Sequence, residues 1–358
     1  MKRTALLLSL LAISVVGCSQ LPGIAPAAQT MEITDATGHT ITLQENPENI
    51  AIAGKAMVMV QDAIYLFAEA PERVVALESR NQSAFAFLPV VDSGVHDKDI
   101  FETNVGPEQI AAAKPDLVIL KNFMAESIGE PLEQLGIPVV YLDLETPEAF
   151  YLDIAVLGQV FGNSDRADEI TDYYQTRVSR VEEMVSGAVD KPRVLLLRYN
   201  ADGGEVAFSV PPASWLQTNL VETAGGVPIW ADLEVGNGWT VVNLEQIAAW
   251  DPEQIFLVDY AGGASEIAAG LKDNPIWTKL GAVQKDQLFA FGYDFYSWDQ
   301  PDTRWILGLQ WLASRIHPDL TAELDILAEV NSFYKTLYFL DQETIDSEVL
   351  PILTGDLP

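Results

Sequence analysis

The sequence predicts an α/β chain of two lobes, each with a mostly parallel central sheet flanked by helices, the two joined by one long helix. Three observations carry this expectation. The stretches Gly106 to Leu120 and Asn243 to Leu257 nearly repeat each other. Both carry Glu-Gln-Ile-Ala-Ala, then a proline, then an acidic residue, then an apolar run. Short apolar strands alternate with helical spacing on either side of each copy. Between the two halves, Pro147 to Val189 keeps a helical face over a length no other segment approaches.

The repeated stretch has the same physics in each copy. Pro107 suits a first helical turn and Asn243 suits an N-cap. The following residues, Glu108 and Glu245, sit by the positive end of their helix dipoles. Pro115 and Pro252 end the helices, because the residue before a proline is pushed out of the α region. Leu117 to Leu120 and Ile255 to Val258 then read as short buried strands.

The remaining elements follow in chain order. Met1-Lys2-Arg3, the apolar Leu6 to Val16 and the ending Val15-Val16-Gly17-Cys18 resemble a bacterial lipobox, with cleavage before Cys18 and lipid on that cysteine. The apolar part is too short for a comfortable span, so anchoring is expected through lipid rather than a helix. Ser19 to Thr30 reads as a tether. Met31 to Leu43 is a hairpin turning at Asp35 to Gly38, and Ile50 to Ala53 is a strand ending at Gly54-Lys55. Ala56 to Phe67 is helical, Arg73 to Leu77 is a strand ending near Arg80, Glu126 to Leu135 is helical and Pro138 to Leu142 is a strand. The connector breaks at Gly162 to Asp165, where Ser164 suits a cap. In the second half, Val194 to Leu197 is a strand ending at Arg198-Tyr199-Asn200. Ser214 to Ala224 is a helix closed by Gly225-Gly226, and Gln287 to Phe291 is a strand. Asp302 to Ile316 and Ala322 to Leu337 are closing helices, and the acidic tail after Asp341 shows no pattern. The expected division is leader 1–17, tether 18–30, first lobe 31–146, connector 147–190, second lobe 191–340 and tail 341–358.

Composition narrows function. The net charge is −32, and loss of Lys2 and Arg3 with the leader takes it to −34, which argues against a nucleic-acid partner. Cys18 is the only cysteine, so no internal disulfide and no cysteine nucleophile exist. There is no Gly-x-Ser-x-Gly elbow, His-Glu-x-x-His or P-loop. His39, His96 and His317 lack metal-ligand spacing. Ligands of open α/β sheets bind beyond the carboxyl ends of the strands. Those ends offer Lys55, Arg80, Asn122, Tyr199, Tyr260, Tyr296 and Trp298, a set rich in cations and aromatics within an acidic chain. Arg80 can form bidentate bonds to a carboxylate or phosphate, and the rings can stack on a planar or chelate ligand. Ion pairing and inter-lobe packing are the structural alternatives. Arg304, at a helix start beside Asp302, reads as structural, and Trp305 and Trp311 as core.

In order and spacing, these pieces resemble the periplasmic binding-protein family that serves ABC importers of iron-siderophore complexes, haem and cobalamin, over about residues 31 to 335. The carriers are Thr34 to Gly38 with Ile50-Ala51, Gly106 to Leu120, Gly225-Gly226, Trp239 to Val258 and Pro301 to Ala313. The resemblance implies a ligand held between the lobes, with Trp239 facing the cleft, and Glu108 and Glu245 docking on basic residues of the permease. His39 stands where many members carry Arg, and Asn81 to Pro89 lacks the Tyr or His of the haem binders, which disfavours haem. The expected protein is therefore an exported, lipid-anchored monomer, not an enzyme, with no resident cofactor. It would capture an iron(III)-siderophore or similar metal complex for an ABC permease. A corrinoid or a molybdate- or tungstate-type oxyanion is the alternative ligand. A surface lipoprotein enzyme is the alternative class.

Overall fold

The computed structural model describes residues 30–43, 46–79, 86–202, 205–233 and 238–357. The leader, the tether, Cys18, Arg80 and the Gly236-Asn237 part of the glycine-rich turn lie outside the described residues.

The first lobe opens with an antiparallel hairpin of β1 (Met31–Thr34) and β2 (Thr40–Leu43). Asp35 holds the turn by accepting from the Thr37 N–H at 2.9 Å, and its other oxygen accepts from the Tyr141 N–H at 3.1 Å, which pins the hairpin to the lobe. The central sheet contains β3 (Ile50–Ile52), β4 (Val74–Glu78), β5 (Asp99–Phe101), β6 (Leu117–Lys121) and β7 (Val139–Leu142) in the order β5-β4-β3-β6-β7. All of its pairings are parallel. β6 and β7 are buried at every position, as expected of strands covered on both faces.

The second lobe has a mixed sheet, parallel in three of its five pairings. β8 (Arg193–Asp202), β9 (Glu205–Val210), β10 (Val227–Pro228), β11 (Thr240–Val242), β12 (Gln254–Val258) and β13 (Leu288–Ala290) form a sheet of order β11-β9-β8-β12-β13, with β10 beside β8. β8, β12, β13 and β10 pair in parallel, whereas β9 pairs antiparallel with both β8 and β11. The difference arises because β8 runs past the expected stop at Leu197 and turns back on itself as β9. The period of a strand places Val206, Phe208 and Val210 of Glu205–Val210 on one face.

The repeat is structurally faithful. The helices Pro107–Ala112 and Leu244–Trp250 precede β6 and β12. In both copies the residue before proline is left-handed, Lys114 at φ 54° and Asp251 at φ 45°. The acidic residue after each proline has one task in both lobes. Asp116 accepts from the Asn49 N–H at 3.0 Å at the start of β3, and Glu253 accepts from the Arg193 N–H at 2.8 Å at the start of β8. Each carboxylate thus ties its strand to the neighbouring central strand.

The connector is two helices, Pro147–Phe161 and Ser164–Val185, separated by left-handed Gly162. Asn163, not Ser164, is the cap, accepting from the Arg166 N–H at 3.1 Å. Buried Arg166 fixes the connector to both sides, through Nε to the Leu66 carbonyl at 3.0 Å and Nη2 to the Leu337 carbonyl at 2.9 Å.

The residues after Asp341 are not a loose tail. Ile345 and Val349 are fully buried, and Thr354 pairs with Tyr293. Asp356 accepts from the Ala290 N–H at 2.8 Å, and its carbonyl accepts from the Trp311 indole at 2.9 Å. The segment therefore straps the edge of β13. Truncation after Asp341 is expected to cost at least about 3 kcal/mol from the two buried aliphatic side chains alone, readable as a lower midpoint in urea unfolding.

Candidate functional site

Both sheets reverse strand order at their centres. In the first lobe β3 runs back to β4 on one side and forward to β6 on the other. In the second lobe the chain leaves β8 for β9 on one side and returns as β12 on the other. Crevices open outside the carboxyl ends of strands at such switch points. Lys55 and Asn122 follow β3 and β6, while Arg198 is the last residue of β8 paired with β12 and Tyr260 follows β12.

On the first lobe, Lys55 is exposed and follows Gly54, whose φ of 88° turns the chain sharply. Buried Glu78 braces that turn, accepting from the Gly54 N–H at 2.6 Å and the Asn104 N–H at 2.6 Å. Asn122 is half-buried and donates to Asp143 Oδ1 at 2.7 Å, which leaves little of its amide for a ligand. Its neighbour Phe123 is exposed by 55% and offers a ring at the same strand end. Lys121 is buried against Glu145 and the Asp143 carbonyl.

On the second lobe, the half-buried Arg198 guanidinium lies 5.5 Å from the Trp239 ring and 4.9 Å from the Tyr260 ring. Trp239 meets Tyr260 at 6.1 Å and Trp215 at 6.0 Å, both edge-on. Within about 6 Å a guanidinium is attracted to an aromatic face, so the rings hold Arg198 in place without neutralising it. Arg198 makes no hydrogen bond or ion pair among the described residues, and its Nε is buried without a partner. The Tyr260 hydroxyl points away to buried Asp299 Oδ2 at 3.0 Å, so its ring, not its hydroxyl, is presented. Burial pushes the Asp299 carboxyl up, against its bonds from Ser297, Tyr260 and Gln217. Tyr199 is half-buried and sits edge-on to Phe208 at 5.8 Å.

Two expected ligand residues are elsewhere. Trp298 is fully buried and donates its indole N–H to Asp294 at 3.1 Å. The glycines at 292 and 308 explain this, since a Cβ at Gly292 would lie 2.3 Å from the Trp298 ring and one at Gly308 would lie 2.2 Å from its carbonyl. Tyr296 is 4% exposed in the same closed loop. Neither ring has a free face for stacking. Arg304 is buried and paired with carboxylates, as its sequence context indicated. His96 is exposed, His39 lies near Glu133 at 3.7 Å, and His317 packs under the Gly225 carbonyl at 3.1 Å. No cluster of metal-ligating side chains occurs among the described residues.

Glu108 and Glu245 are both exposed, each the second residue of its helix. The Asn243 side chain caps the second helix by accepting from the Gln246 N–H at 2.8 Å. In the first, the Gly106 N–H donates to Gln109 Oε1 at 3.1 Å. Both carboxylates are left to solvent.

Two α/β lobes joined by a helical connector are the architecture of a two-lobed solute-binding protein. The periplasmic binding protein family model matches residues 75–294, and the chain belongs to that family. Members bind small ligands and interact with ABC permeases. The chain is 22% identical over 336 residues to the molybdate-binding protein MolA of Haemophilus influenzae, covering 86% of this chain and 90% of that one. It is 22% identical over 302 residues to the iron-uptake system-binding protein of Bacillus subtilis, covering 81% and 90%. A periplasmic solute-binding protein from Veillonella parvula superposes with a TM-score of 0.72 at 21% identity, covering 90% of this chain and 98% of that one.

Proposed function

We propose that this chain captures an anionic metal complex, foremost an iron(III)-siderophore, between its lobes and delivers it to an ABC permease. The observation that carries this reading is the Arg198 guanidinium held between Trp239 and Tyr260, unpaired among the described residues. In a chain with 52 acidic and 20 basic residues, a half-buried cation with no carboxylate partner among the described residues is an invitation to an outside anion. Rings on both sides suit a ligand that has unsaturated faces as well as charge. Lys55 and Phe123 supply a second cation and ring from the other lobe. Arg80, which follows β4 by two residues in the sequence, is assigned to the ligand as well. An oxyanion such as molybdate is the second reading, favoured by the name of one relative and by the same guanidinium. A corrinoid is the third.

Glu108 and Glu245 are assigned to permease docking, one on each lobe. Cys18 is assigned as the lipidated residue that anchors an exported monomer. No described helix is long and apolar enough to cross a membrane.

Titration with ferric siderophores, molybdate and cobalamin, followed by tryptophan emission, tests the reading. Half-buried Trp239 and Trp215 should report the ligand, whereas buried Trp298 should not. Saturable quenching by a ferric complex that Trp239→Phe largely removes is the expected result. Quenching by cobalamin alone, or conversion of any ligand to product, would overturn it.

A further inference from the structure

The lobes meet through a buried cluster that ligand capture does not use. The helix Met57–Ile64 follows β3, and the segment Tyr293 to Arg304 follows β13. Both therefore stand at the cleft-facing ends of their sheets. Asp62 from the first lobe reaches Arg304 of the second at 2.5 Å. Arg304 is also paired with Asp294 at 2.7 Å and Asp302 at 2.9 Å. All four side chains are at most 1% exposed. Phe87 of the first lobe caps the guanidinium at 4.5 Å, and Arg304 Nη2 has no hydrogen-bond partner among the described residues.

Among the described residues, one positive charge faces three carboxylates, all buried. Full ionisation would bury two uncompensated negative charges, which costs several kcal/mol in a protein interior. The hydrogen bonds show where relief is available. Asp294 accepts from the Tyr334 hydroxyl at 2.6 Å, the Trp298 indole and the Tyr296 N–H, all suited to a carboxylate. Asp62 and Asp302 both accept from one donor, Arg304 Nη1, at 2.5 and 2.9 Å, which brings the two carboxyls side by side where both cannot readily stay ionised.

We propose that Asp62 and Asp302 share one buried proton beneath Arg304, and that this proton latches the two lobes together. The geometry has a titration counterpart. Burial holds the Asp62 carboxyl well above the usual carboxylate range, Arg304 opposes the rise and Asp302 adds to it. Among the described residues, the other titratable groups facing the site are Tyr296 from the loop after β13, Tyr334 and Tyr338 from the helix region 326–338, and Tyr174 from the connector. Burial raises all four hydroxyls, so they stay neutral and cannot compensate the carboxylates. The folded state thus keeps a proton that the unfolded chain has released. Stability falls as pH rises from the ordinary carboxylate range through the folded value, and the full penalty remains above it. Loss of the proton places repelling carboxylates across the lobe contact.

Asp62→Asn and Asp302→Asn test this in the intact chain without any ligand. Melting temperatures of wild type and both variants are compared between about pH 5 and pH 8.5. Each variant should gain on wild type as pH rises, by several degrees at the alkaline end. Asp153, pushed up to about 7 chiefly by burial, and Asp299 titrate in all three proteins and cancel in the difference. Infrared difference spectra at neutral pH should show the carbonyl band of a protonated acid in wild type that both variants lack. Amide exchange in Met57–Ile64 should speed up with pH, beyond the intrinsic rate, in wild type only. If one variant does not fold, the other and the wild-type exchange profile still decide. A pH-independent difference in melting temperature, no protonated-acid band in the wild-type-minus-variant spectra, or flat wild-type exchange after that correction would each overturn the latch.

Discussion

Arg198→Ala is expected to raise the Kd for a ferric siderophore by roughly thirty-fold, about 2 kcal/mol, the scale of one hydrogen-bonded charge. The loss follows from what Arg198 lacks. It makes no bond that folding requires among the described residues, so its charge is available to a ligand. The two rings already fix its direction, so little side-chain entropy remains to be lost on binding. The same feature predicts that stability hardly changes, by about 1 kcal/mol or less for the stacked contacts. Arg198→Lys should recover only part of the affinity, because a point charge replaces a planar fork that stacks and bonds bidentately. Affinity for neutral probes should not move. Isothermal titration of the three proteins reads all of this, and an Arg198→Ala protein that binds the ferric complex as tightly as wild type would remove the site from the cleft.

That a cation follows the apolar core of β8 was within reach of sequence. Arg198 directly follows the apolar run Val194 to Leu197, and any cation at a strand end in so acidic a chain is notable. The sequence instead points to Tyr199 as the strand-end residue, because it does not show that β8 continues to Asp202 and pairs there with β9. The central strands, the hairpin and the repeated unit were legible because period and proline placement are local signals. The burial of Trp298 was not, because it depends on two glycines, six residues before it and ten after, that leave room for an indole. Nor was the strap formed by Thr354 to Asp356, whose hydrogen bonds run to β13 and the helix Trp305–Ile316. The buried Asp62–Arg304 pair spans 242 positions, a separation at which no sequence pattern speaks.

Reversing both exposed carboxylates, in the double variant Glu108→Arg/Glu245→Arg, is expected to abolish uptake while leaving ligand affinity as it was. Each residue stands in the first turn of a short helix with its side chain in solvent, so neither supports the fold through a contact. Placing Arg there opposes the helix dipole by only about 0.5 kcal/mol per site. Rim charges act on encounter and register, where a like-charge meeting costs several kcal/mol. Each single reversal should therefore leave partial transport, and the double should leave none, as measured by uptake of radiolabelled iron complex into cells. The repeat explains why two points are needed. Each lobe presents the same helix, proline stop and carboxylate tie to its central strand, so the spacing of Glu108 and Glu245 reports how the lobes sit. A permease that reads both at once reads the lobe arrangement and not merely the presence of the protein. Uptake that survives the double reversal would show that docking uses other surfaces. Restoration by acidic replacements on the permease would show that these two carboxylates carry it.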